Sequence, residues 1–272
     1  MSRKEGYKEP LTDLIGEALK TGNEENLTEY LTSNSNLPGP RGNLELAEAF
    51  ADVVAAYAEG EPEKLWRLCL KLTQFSLIEA PVNNPKEFLV FCGARGIGAL
   101  GSSQRFFQKT MSRLKELAND PRWRTREGVA MALQSMIETQ PQKTLNEIAE
   151  WIESDSWLAM RAVAAGVAEP ALLKDEQTAK SAFELHKQIF AKIAAARERK
   201  SSEFKTLKQG LGYSLSVIVC AVSREGFEYM RQLAEQGDAD ILWIVKENLK
   251  KNRLLKNFPE EVASTKKLLE CG

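Results

Sequence analysis

A chain of 272 residues, 43% of them hydrophobic and 28% charged, can bury a sizeable core, and its length suits one elongated domain or two compact ones. A net charge of −1 argues against a protein that coats nucleic acid indiscriminately. Cys69, Cys92, Cys220 and Cys271 lie far apart, and His186 is the single histidine. A Cys/His zinc site or a disulfide framework is therefore not expected, and neither a metal nor a cofactor is implied.

Residues 1–10 lack an apolar signal core, and no uncharged apolar run approaches the roughly 18 residues of a membrane span. The sequence thus predicts a soluble, cytoplasmic monomer with no membrane partner. Charge is unevenly placed: residues 1–90 hold 9 Lys+Arg against 15 Asp+Glu, and residues 91–272 hold 28 against 23. The later part therefore has room for a basic surface, although solvated helix faces explain the same pattern.

In chain order the pattern is helical throughout. Leu11, Leu14, Ile15, Ala18 and Leu19 follow the i, i+3, i+4 spacing of a helix with one buried stripe. A shorter helix runs through Leu27 and Leu31, and the prolines and glycines of residues 34–43 then enforce a loop. Leu44 to Ala58 is alanine-rich and periodic, and Pro62 suits the first turn of a helix carrying Trp66, Leu68, Cys69 and Leu72. Pro81-Val-Asn-Asn-Pro85 breaks the chain again.

Gly96-Ile-Gly98-Ala-Leu-Gly101 matches the Gly-x-Gly-x-x-Gly of dinucleotide-binding proteins. That motif needs a preceding strand and a βαβ unit so that backbone amides can approach a pyrophosphate. Here the flanks are helical, so the glycines read as points of close helix packing. No period-2 strand with hairpin chemistry occurs, and the predicted fold class is all-α.

Phe106 to Leu117 forms the next helix, and Asn119-Asp-Pro121 turns into the helix of Trp123, with Asp120 placed to cap it and Pro121 at its first position. Further helices are predicted over Leu145–Ile152, Trp157–Val167, Thr178–Ala196, Leu207–Val222, Phe227–Ala234, Ile241–Leu249 and from Glu260 onward. Residues 197–202 read as an exposed basic corner. Asp120, Trp123 and Arg126 recur as Asp155, Trp157 and Arg161 at offsets of 35, 34 and 35 residues. Helix pairs of this length are the unit of HEAT-like repeats. The expected architecture is a single HEAT-like, ARM-type α-solenoid domain of antiparallel helix pairs over residues 1–272, curved with a concave face, its first 90 residues being acidic helices.

Helix geometry selects the candidate residues. At about 100° per residue, Val129, Leu133, Met136 and Ile137 share one arc of the Trp123 helix, while Trp123 and Glu127, four apart, lie on its flank. Arg126 falls within the apolar arc, where it would bond neighbouring loops. Trp157 and Arg161 repeat the four-residue spacing one unit later. Aromatic faces with a carboxylate and an arginine suit a cationic or planar ligand, or a sugar-phosphate backbone.

The stretch Trp123-Arg-Thr-Arg-Glu127, then Trp151-Ile-Glu-Ser-Asp155-Ser-Trp157-Leu-Ala-Met-Arg161, then Leu211-Gly-Tyr213 resembles the HEAT-like DNA alkylation repair glycosylases over roughly the C-terminal 170 residues. The resemblance implies a concave face for duplex DNA on which alkylated purines are excised. It assigns Glu127 as the catalytic carboxylate that stabilises an oxocarbenium-like sugar or positions water. Arg161 would hold a phosphate, and Trp123, Trp157 and Tyr213 would pack on deoxyribose. Glu127 stands where the family has aspartate and Tyr213 where it has tryptophan, which leaves enzymatic activity undecided. The alternative is a non-catalytic protein-interaction scaffold of the HEAT type.

Two further features stand apart. Ser102-Ser103 has no nearby histidine, and His186 reads as a surface or boundary residue, so triad chemistry is not expected. Lys246, Lys250, Lys251, Arg253 and Lys256, near Trp243, form the densest basic cluster. Such a cluster binds phosphates or complements a helix C-terminus.

Overall fold

The computed structural model describes residues 3–271, and among these it is all-helical, with fifteen α-helices, one 3-10 turn and no strand. The chain divides into two compact units, Met1–Thr139 and Gln140–Gly272.

The first unit contains α1 (Arg3–Thr21), α2 (Glu25–Ser33), α3 (Leu44–Tyr57), α4 (Pro62–Leu72), α5 (Glu87–Gly101), α6 (Phe107–Leu117) and α7 (Trp123–Thr139). Helices α1, α3, α5 and α7 pack in succession, while α2 lies on α1 and α5, α4 on α3 and α5, and α6 on α5 and α7. Every residue of α5 except Ala99 is buried. Its glycines make that possible. A Cβ on Gly96 would stand 2.5 Å from Cys69 Sγ of α4 and 2.9 Å from Phe50 of α3, and one on Gly98 would stand 2.5 Å from the Ala132 Cβ of α7. The would-be dinucleotide motif is thus a seam of close helix approach. Along it, Gly98 and Gly101 meet Ala132 and Met136, so α5 and α7 run in the same direction; Gly93 and Gly96 meet Leu72 and Cys69, so α4 runs against α5.

Helix α1 starts eight residues before the apolar pattern does and contains Pro10. Long-range charge holds this extension, because Lys4 and Lys8 lie 2.9 and 3.1 Å from the Asp52 carboxylate on α3. The predicted loop at 34–43 is present and ends in Asn43, whose side chain accepts from the Leu46 amide and donates to Tyr7 Oη and the Asn34 carbonyl. That one amide caps α3 and ties the loop to α1. Ahead of α7, Asp120 accepts from the Arg122 amide at 2.8 Å, and α7 begins at Trp123. Pro121 therefore lies in the preceding turn instead of at the first helical position.

The second unit contains α8 (Pro141–Ile152), α9 (Trp157–Val167), α10 (Glu176–Ala195), α11 (Ser202–Ala221), α12 (Ser223–Glu235), α13 (Ala239–Asn248), α14 (Asn252–Asn257) and α15 (Pro259–Cys271), with the 3-10 turn at Leu172–Lys174. Here α9, α11 and α13 pack in succession; α10 lies on α8, α9 and α11, and α12 on α11, α13 and α15. Trp157 meets Phe204 and Arg161 meets Gly210, so α9 and α11 run in the same direction. Ser156, Asp175, Ser201 and Asp238 each accept a backbone N–H from the first turn of the helix that follows.

Two readings of the sequence are corrected here. His186 is fully buried on α10, its Nδ1 3.0 Å from the Ala182 carbonyl and its Nε2 2.9 Å from Ser214 Oγ on α11. A carbonyl only accepts, so Nδ1 carries the proton and Nε2 accepts from the serine hydroxyl. The basic cluster, read as the end of one helix, straddles the end of α13 and the six-residue α14, which is too short to show a period. Among the described residues, no helix is long and apolar enough to cross a membrane, and no group of three or more His, Cys, Asp or Glu could hold a metal ion.

Candidate functional site

The sequence-selected residues occupy both units. In the first, Trp123 opens α7 and is 42% exposed, while Glu127, one turn on, is half-buried. Both line a cavity of about 140 Å³. Phe88 and Phe91 from α5, Leu44 from α3 and Met131 from α7 give it a mainly apolar lining, and Arg41 and Arg124 add two guanidinium groups. Phe88, Phe91, Leu44 and Arg41 were not among the expected site residues. They come from segments 30 to 80 positions upstream of Trp123, and only the packing of α3, α5 and α7 brings them together.

The arginines around the start of α7 act as staples. Arg124, 4% exposed, donates from Nη1 to Glu87 Oε2 at 3.0 Å and from Nη2 to the Gly39 carbonyl and Asn83 Oδ1. Its guanidinium also lies over the Trp123 ring, 4.4 Å from the centroid. Glu87 is completely buried, so this ion pair is a desolvated one; Glu87 Oε2 also accepts from the Asn83 amide at 2.6 Å, while Glu87 Oε1 and Arg124 Nε are buried with no hydrogen-bond partner among the described residues. Arg122 donates to Asp120 and to the carbonyls of Phe75 and Ala80. Arg126 donates to the carbonyls of Asp120 and Pro121, a loop-bonding role in keeping with its position on the helix. Arg122 and Arg124 thereby fasten the loops before α3 and α5 onto α7, which fixes Trp123 at the cavity.

In the second unit, Trp157 opens α9 and packs edge-on against Phe204, with 5.2 Å between centroids. Arg161, half-buried, lies along α11 with its Cγ 3.4 Å from where a Gly210 Cβ would stand. Tyr213, three residues further along α11, is 51% exposed. Arg253 of α14 donates to its hydroxyl at 2.6 Å and covers its ring at 4.5 Å, and Lys251 Nζ lies 5.9 Å from the same ring. Trp243 of α13, also exposed, packs on Gly212 and carries Lys208 Nζ at 4.9 Å from its ring. Lys208 in turn pairs with Asp240 at 2.8 Å, and Lys250 pairs with Glu247, whose carboxyl is held below its ordinary range by that hydrogen bond. The expected residue Tyr213 and two members of the separately noted basic cluster, Lys251 and Arg253, therefore form one aromatic and basic surface within this unit. Trp243 and Lys208 extend it. The signal for Trp243 was its place beside the lysines; nothing in the sequence pointed to Lys208.

No protein-family model matches the chain, and no curated protein matches it. The solved structure of an engineered protein aligns with 93% of this chain and 98% of its own at 16% identity, with a TM-score of 0.40, a likeness too slight to inform fold or function.

Proposed function

We propose that this chain is a HEAT-like α-solenoid protein that binds DNA. Support for the architecture comes from the alternation within the units, where neighbouring odd-numbered helices run parallel and α4 runs antiparallel to α5. The observation that carries the binding reading is Tyr213, half-exposed beneath the Arg253 guanidinium with Lys251 beside it. Exposed rings interleaved with cations are what stack on bases and neutralise phosphates. The finer activity, excision of alkylated bases, rests on the motif resemblance and on Glu127. Beside Trp123 in a mainly apolar cavity, its carboxylate would act on a developing sugar cation with less screening than in water.

The test is binding of duplex DNA containing 7-methylguanine over a salt series, with release of the methylated base measured in parallel. Binding should weaken steeply with salt, and Arg253→Ala should make the slope of log K against log salt shallower by about 0.9 for each phosphate that Arg253 neutralises. Glu127→Gln should retain binding and abolish release. Absence of salt-dependent binding at low ionic strength removes the whole reading; binding without release removes the enzymatic part. One observation favours a protein-interaction scaffold instead: Leu77, Ile78 and Val82, exposed by 45%, 93% and 53%, sit in a single loop between α4 and α5.

A further inference from the structure

Tyr213 and Trp243 stand on α11 and α13, which pack against each other, and both remain exposed, by 51% and 36%. A glycine brings them together. The six-membered edge of the Trp243 indole lies where a Gly212 Cβ would be 3.1 Å from Cζ3 and 3.3 Å from Cη2, one position before Tyr213. Arg253 lies on one face of the Tyr213 ring, and half of that residue is still open to solvent. Of the three cations over the two rings, Lys208 is paired with Asp240 at 2.8 Å, whereas Lys251 and Arg253 have no carboxylate partner among the described residues. Magnitudes then separate two kinds of DNA. Salt-driven duplex binders make roughly 6–10 phosphate contacts, and the two unpaired cations at the rings supply few of these. A base stacked on one aromatic side chain changes affinity by about 5- to 150-fold, so two exposed rings outweigh those charges. A duplex keeps its base faces stacked on one another and offers a surface ring only backbone and groove edges; a single strand presents the faces themselves.

We propose that the surface of Tyr213 and Trp243 binds single-stranded DNA in preference to duplex, with unpaired bases stacked on the two rings and Lys251 and Arg253 at the phosphates. This rests on the reading of the surface as a DNA site and narrows the partner to a strand whose bases are exposed. Stacking tolerates every base, so sequence matters little, and a strand without bases is a poor ligand. All of these residues belong to the second unit.

The test uses the full chain and a fluorescein-labelled DNA strand of mixed sequence, presented alone, annealed to its complement, and as an abasic strand of equal length, with affinity read by fluorescence anisotropy. At one salt concentration the single strand should bind at least about tenfold more tightly than the duplex and than the abasic strand. Lys251→Ala should make the slope of log K against log salt shallower by about 0.7 for the phosphate that Lys251 neutralises. Tyr213→Ala, a change at an exposed position, should weaken the single strand at least about fivefold with an unchanged circular dichroism spectrum, and Tyr213→Phe should recover most of that loss. Trp243→Ala should weaken it to a similar extent. Duplex binding as tight as that of the single strand overturns the proposal and leaves DNA binding standing; failure of every DNA to bind at low ionic strength removes both. The proposal is also overturned if the abasic strand binds as well as the complete one, or if Tyr213→Ala and Trp243→Ala bind the single strand like the parent chain.

Discussion

His186 makes the stability of the protein depend on pH in a window that can be worked out from its surroundings. Burial lowers its pKa from 6.5 to about 4, against a smaller opposing contribution from the Ala182 carbonyl. Above pH 6.5 the imidazole is neutral both folded and unfolded, and it contributes no pH dependence. Between pH 6.5 and about 4 the unfolded chain takes up a proton that the folded chain refuses, so stability falls as pH falls. Each pH step of one through this window removes about 1.4 kcal/mol, so the loss reaches roughly 2.5 kcal/mol at pH 4.5 and levels off at about 3.4 kcal/mol well below pH 4. The perturbation that isolates it is His186→Gln, which keeps an amide to reach Ala182 or Ser214 but cannot titrate. Urea unfolding of both proteins at pH 7 and pH 4.5 provides the assay. Relative to the parent, the variant should gain about 2.5 kcal/mol between the two pH values, whatever its deficit at pH 7. Because this is the single histidine, its C2–H resonance also reports the folded pKa directly. A folded midpoint near 6.5, or a stability difference between parent and variant that does not change with pH, would refute the reasoning.

The packing of α5 gives two contrasting expectations. Gly98→Ala puts a Cβ 2.5 Å from Ala132 Cβ and 2.8 Å from its Cα, forcing helix backbones apart, and should cost roughly 1–3 kcal/mol in denaturant unfolding. Gly6→Ala, in exposed α1 with nothing within 4 Å, should instead stabilise by about 0.5–1 kcal/mol. Arg124→Ala strands the Glu87 carboxylate in the interior and should cost about 3–5 kcal/mol by the same measurement. Adding Glu87→Gln to that variant should recover part of the loss, and failure to do so would mean that the charge itself is not what Arg124 balances.

The helix order was legible because its punctuation is local. Helix α9 begins and ends where Ser156 and Glu169-Pro170 place it, and the glycines of α5 were readable as packing positions because no strand preceded them. Features decided by distant partners were not legible. The first turns of α1 contain Lys4, Lys8 and Pro10 and show no apolar stripe; the Asp52 carboxylate that holds them is more than forty positions away. His186 is flanked in sequence by Glu184, Leu185, Lys187 and Gln188, a mixed setting that leaves its burial undecided, yet its ring faces Ser214 across the α10–α11 contact. The same limit applied to the candidate site. Spacing on one helix correctly kept Trp123 and Glu127 accessible, but it could not reveal that Arg41, Phe88 and Phe91 complete a cavity around them, or that Arg253 would lie over Tyr213.

The burial of α5 on all sides bears on how this chain could be shortened or extended. In arrays where each helix pair touches only its neighbours, a pair can be deleted and the flanking pairs rejoined. Here α5 is at once the partner of α2, α3, α4, α6 and α7, so removing any of them uncovers a face made of glycine and apolar side chains. Helices α2 to α7 therefore form one block from which no helix can be deleted singly, and insertions or deletions belong in the loops that no arginine staples.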